Sequence, residues 1–150
     1  MLKLRLFETP KGKERVDIYY SEMTPAIKQI VTIAKDDKPV LYGTCEDEKV
    51  LLDIKEICYF DTVDRRTFAY TGEHVYQVAK SLSILEEELR TYGFIRINKA
   101  NLVNIYMIRK IKPEANMRIS AVLKTGEKLQ INRAYKKEFE EYLNEIRRML

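Results

Sequence analysis

One histidine, His74, and two cysteines, Cys45 and Cys58, are all that the 150 residues hold of the side chains most used in nucleophilic and zinc chemistry. A Ser-His-Asp or Cys-His device would have a single base to draw on, and no nucleophile stands in a recognisable strand-to-helix elbow. His74 reads as a surface histidine in a hairpin. The cysteines lack CxxC spacing, so with one histidine they cannot complete a usual four-ligand zinc site. They read as reduced, mostly buried thiols. No Walker-type or GxGxxG loop occurs, so neither glycine-rich phosphate cradle is supported. No window approaches the roughly 18 apolar residues of a membrane span. The start, MLKLRLFETPKGK, carries charge where a signal peptide needs its apolar run. Catalysis, a bound cofactor, a metal and a membrane span all lack support, and the chain reads as a cytoplasmic, non-enzymatic protein.

Glycine and proline are also sparse, 5 and 4 residues, in a chain that is 45% hydrophobic. That composition suits one globular domain with a small appendage and little disorder. The net charge of +4 conceals a strong asymmetry. Residues 90–137 hold 12 Lys and Arg against Glu114 and Glu127, a net of +10, whereas residues 41–89 are net −6, with 5 basic and 11 acidic residues. A field of that kind attracts polyanions. The acidic runs at 46–48 and 86–88 could hold a hard cation, but the second is more simply the solvated face of a helix.

Alternation predicts strands at LKLRLF and RVDIYY, joined through Pro10, Lys11 and Gly12. Thr24 and Pro25 then open a helix with the stripe Ile27, Ile30, Val31 and Ala34. Asp36 to Pro39 end this strand–strand–helix extension, giving units at 1–39 and 40–150. Beyond it strand signals dominate: VLYGTC, KVLLDI, EICYFDT, then RTFAYT and HVYQVAK around Gly72-Glu73. SLSILEEEL is a helix with the apolar stripe Leu82, Leu85 and Leu89, and Ser83 with Glu86 matches capping-box spacing. FIRIN, MIRKIKP and a hairpin around Thr125-Gly126 return to strand. The tail is a helix with Tyr135, Phe139, Tyr142, Leu143 and Ile146 on one side. The fold class is mainly β with short helices (α+β).

The stretch FIRINKANLVNIYMI, 94–108, threads Arg96, Asn98, Lys99, Asn101 and Asn104 through an apolar run. Period-2 alternation places Ile95 and Ile97 opposite Arg96 and Asn98. The Asn-rich turn would project Lys99, with Leu102 and Val103 as anchors. A second polar knot, Ile131-Asn132-Arg133-Ala134-Tyr135, lies where a strand enters the last helix. Arg and Asn on loops suit reading base edges in a groove, and nearby lysines suit gripping phosphates. Salt bridges and ordinary solvent-facing charge would account for these residues equally well.

FIRINKANLVNIYMIRKI followed by AVLKTGEKLQINRAYKKEF resembles the LytTR DNA-binding domain of bacterial transcription regulators. The resemblance runs from about Val40 to Tyr142. It implies an elongated β-sheet domain whose inter-strand loops enter successive major grooves. Carried over, Asp64, Arg65, Arg66 and Thr67 form one contact point, and Asn98 and Lys99 a second. Arg133 falls at the base-contacting arginine, with Asn132 and Lys136 beside phosphates, and Arg96 is structural as much as binding. Asn98 replaces a commoner His and Asn101 an aromatic, which affects base preference. The 39 residues before the match are too few for a phosphorylatable receiver, so the chain resembles the stand-alone members. Those are often encoded beside a small membrane protein that modulates them. The expected partner is double-stranded DNA with repeated half-sites, bound as a homodimer, and no cofactor is expected. The rival readings are a helix-turn-helix, with SILEEEL followed by NKANLVNIY as recognition helix, and an RNA-binding or protein-interaction module.

Overall fold

The computed structural model describes residues 2–35 and 39–149. The chain divides into two compact units, 1–38 and 39–150. In the first, helix α1 spans Pro25–Lys35. Thr24 caps it, its hydroxyl accepting from the Ile27 amide at 3.3 Å, and Ile27 is buried. The strands expected at LKLRLF and RVDIYY do not form: residues 2–20 enter no ladder, although the turn between them does, with Lys13 N donating to Pro10 O. Each segment offers four apolar residues, and an isolated two-stranded hairpin is marginal in water. Leu4, Leu6, Phe7 and Tyr19 accordingly stay exposed. The proposed end of α1 at Asp36–Lys38 lies outside the described residues.

Among its described residues the second unit contains ten strands and two α-helices. Strands β1 (Leu41–Cys45), β2 (Glu48–Leu52), β3 (Tyr59–Val63), β4 (Arg66–Tyr70) and β5 (Val75–Val78) precede helix α2 (Leu82–Leu89). Strands β6 (Phe94–Arg96), β7 (Asn101–Asn104), β8 (Ile108–Pro113), β9 (Ile119–Leu123) and β10 (Lys128–Ile131) follow, then helix α3 (Arg133–Met149). Seven strands form one antiparallel sheet in the order β2-β1-β5-β4-β3-β7-β6, and three form another, β10-β9-β8. The described residues thus form mostly β-sheet with three α-helices.

Two apolar clusters explain why FIRIN and NLVN read as almost continuous core. Phe60, Phe94 and Leu102 point to one face of the large sheet, where α2 lays down Leu82, Leu85 and Leu89. Tyr59, Ile95 and Val103 point to the other, onto Ile119, Ala121 and Leu123 of β9 and Phe139 and Tyr142 of α3. The β3-β7-β6 portion is therefore buried on both faces, unusual for antiparallel strands. Burial of each such Phe, Ile or Leu stabilises by roughly 1.5–3 kcal/mol.

The helix-turn-helix alternative does not survive. NLVN forms β7, paired with both β3 and β6, so the supposed recognition helix is a central strand. Leu102 and Val103 are buried on opposite faces, and β-branched Val103 suits a pleated strand, which overrides the weak strand preference of the flanking Asn residues. The cap of α2 also differs from expectation: Ser81, two residues before Ser83, accepts from Ile84 N at 3.3 Å. Leu82 must sit in the first turn for the Leu82-Leu85-Leu89 stripe to face the sheet, and that sets the start.

Candidate nucleic-acid interface

Three connections meet at one end of these sheets. β3 ends at Val63, paired with Arg66, so Asp64 and Arg65 form a two-residue turn. Both have positive φ, 49° and 65°, the backbone of a type I′ turn whose twist matches the strands. Asp tolerates that region; Arg is unusual there. Asn101 of β7 pairs with Asp61, so the β6–β7 loop leaves from the same end. Thr62 N donates to Ala100 O at 2.9 Å, tying the two together. The β10–α3 junction joins through Asn132 N to Ile97 O at 3.0 Å and Asn98 Nδ2 to Gln130 O at 3.0 Å.

The polar residues of the 94–108 stretch divide into builders and bearers. Asn98 Oδ1 accepts from the amides of Ala100 and Asn101, each at 2.9 Å, and its Nδ2 donates to Asn101 Oδ1 at 2.9 Å. Its side chain is thus engaged within the loop. Asn101 donates to Asp61 Oδ1 at 3.2 Å. Asn104, 2% exposed, donates to Ile57 O at 2.9 Å and accepts from Tyr106 N at 3.0 Å. Arg96 donates to Asn98 O at 3.3 Å and Lys99 O at 2.6 Å, and pairs with Glu86 Oε2 at 3.1 Å. Its guanidinium therefore clamps the loop onto α2. Lys99 stays exposed, as the Asn-rich turn suggested.

Around this frame Arg65, Arg66, Asn132 and Arg133 are exposed and Lys136 is half-buried. Thr67 lies inside the ladder, opposite Thr62 and Val78, and is 6% exposed. It walls the site and does not project from it. A groove of about 420 Å³ brings Arg65, Arg66 and Thr67 together with Arg96 and Lys99. Arg133 is not among its lining residues; it joins through the bonds of Asn98 and Asn132. One lining cation escaped the sequence reading: Lys80, just ahead of the Ser81 cap of α2. Only the Thr67–Val78 pairing brings it near, and nothing local in the sequence signals that.

Among the described residues no group of three or more His, Cys, Asp or Glu could hold a metal ion, and no helix is long and apolar enough to cross a membrane. Cys58 is buried, Cys45 partly so, and both are free. Burial pushes the Cys58 thiol upward, with the Glu127 carboxylate adding to it.

The family model of the LytTr DNA-binding domain matches residues 47–144. An uncharacterized HTH-type transcriptional regulator of Staphylococcus aureus is 30% identical over 147 residues, covering 96% of this chain and 99% of its own length. The sensory transduction protein LytT of Bacillus subtilis is 33% identical over 95 residues, 63% of this chain, which spans only 39% of that protein. The fold matches the solved LytTr DNA-binding domain of a Bacillus cereus response regulator with a TM-score of 0.67, at 21% identity, over 70% of this chain and 97% of that one. Matched over most of its length by the family model, the chain belongs to the LytTR family of DNA-binding domains.

Proposed function

We propose that this protein is a sequence-specific, double-stranded DNA-binding transcriptional regulator that reads the major groove with loops. The supporting observation is the hydrogen-bonded convergence of the β3–β4 turn, the β6–β7 loop and the β10–α3 junction, each presenting exposed cations. Arg133 at the start of α3 and Arg65 at the turn tip carry the base contacts, since Arg matches guanine O6 and N7. Lys99, Arg66, Asn132 and Lys136 hold phosphates. Asn98 and Thr67 contribute by shaping the loop and wall on which those side chains stand. One module covers too little DNA for high specificity, so two copies occupy repeated half-sites. The protein works in the cytoplasm and has no catalytic role.

The test is enrichment of randomised duplexes by the wild-type chain and by Arg133→Ala. Wild type should select a repeated short motif, and Arg133→Ala should bind it at least about tenfold more weakly while remaining folded. A variant that binds the selected motif normally would remove Arg133 from the contact set. Equal binding to every duplex by wild type would leave a basic surface without readout.

A further inference from the structure

We propose that the groove between the β3–β4 hairpin and α2 seats a DNA backbone phosphate, that Lys80 is the contact, and that Glu88 holds its place until DNA arrives. This rests on the DNA-binding reading above and adds a contact outside the three loops. The groove is lined by five cations, Arg65, Arg66, Lys80, Arg96 and Lys99, and by no carboxylate. The buried Thr62 Oγ1 in its wall has no hydrogen-bond partner, leaving a hydroxyl able to donate to an oxyanion.

The cations differ in freedom. Arg96 is held by Glu86 and by two loop carbonyls, so it positions the wall. Arg65 and Arg66 stand on the hairpin that the loop reading already employs. Lys80 instead makes a 2.6 Å pair with Glu88 Oε2, both side chains being about a third exposed, at 35% and 38%. Such a pair is weak in water, because solvent screens it and both side chains must be ordered. A phosphodiester oxygen offers Lys80 the same anionic acceptor without the constraint of reaching along α2. Glu88 thus competes with DNA for one ammonium group.

The competition predicts variants of opposite sign, measured on the full chain by fluorescence anisotropy across a salt series. Lys80→Met should weaken binding to the selected duplex and to a scrambled one by a similar factor, about three- to tenfold, and flatten the slope of log affinity against log salt by about 0.9, one phosphate's worth. Glu88→Gln should tighten binding to both duplexes by about two- to fivefold, the range expected for releasing an exposed pair. Glu87→Gln removes the same charge from α2 and should do less. The proposal is overturned if Lys80→Met leaves the slope unchanged, or if Glu88→Gln binds no tighter than Glu87→Gln. A Lys80-dependent thermal stabilisation by inorganic pyrophosphate, without any effect on DNA, would also overturn it in favour of a free anion. Failure of wild type to bind any duplex would instead defeat the DNA-binding reading itself.

Discussion

Arg65→Gly should make the protein more stable and worse at binding DNA. Arg65 occupies the second turn position of the β3–β4 hairpin with φ 65°, where an L-residue costs roughly 1–2 kcal/mol. Glycine adopts that region freely but returns about 0.5–1 kcal/mol through its more flexible unfolded chain. The net gain is about 0.5–1 kcal/mol, or about 1–4 °C in Tm for a chain of this size. No hydrogen bond or ion pair of the Arg65 side chain offsets the change within the described residues. Thermal unfolding followed by circular dichroism reads the stability, and anisotropy on the selected duplex should show at least about a tenfold loss of affinity. Opposite movements would mean that the turn bears strain for the sake of what its tip touches. A destabilised glycine variant would refute the backbone argument, and unaltered binding would refute the role of the tip.

Gly93→Ala should be strongly destabilising. The glycine has φ +97°, and an added Cβ would lie 2.5 Å from Tyr106 Cε2. Strain and overpacking together cost about 2–4 kcal/mol, measurable as a lower urea midpoint. Alkaline pH should weaken the fold in a defined window. Burial pushes the Tyr142 hydroxyl up to about 12, above an ordinary value of about 10, so the folded state holds this proton more tightly. The Tyr142 contribution to stability is then full below pH 10 and lost as pH rises toward 12. Urea titrations across that range should show the fall, smaller in Tyr142→Phe, which cannot ionise.

Most strands were legible because their alternation and turn residues are local. The three leucines of α2 and the apolar side of α3 were equally plain, and Phe139 and Tyr142 are indeed core. The failures are equally local. LKLRLF and RVDIYY satisfy a strand pattern, yet period alone does not supply a partner surface. Ser83 and Glu86 matched capping-box spacing, but the leucine stripe sets the helix phase and Ser81 takes the cap. At the candidate site, the Asn-rich turn showed that Lys99 projects, but not that Asn98 is engaged by the backbone it bends. Thr67 entered the contact set only through the family resemblance, although RTFAYT already read as a strand, and it lies within β4. Lys80 was invisible because its neighbours in the groove are distant in sequence and close only through the β4–β5 ladder.

That this end of the molecule reads the major groove, the central claim, is tested most directly by methylation interference on the selected duplex. Methyl groups on guanine N7 lie in the major groove, and those on adenine N3 in the minor groove. N7 methylation should block binding in clusters spaced about one helical turn apart, roughly 10–10.5 base pairs, and Arg133→Ala should abolish one cluster. Interference confined to adenine N3, or no interference on either face, would contradict it.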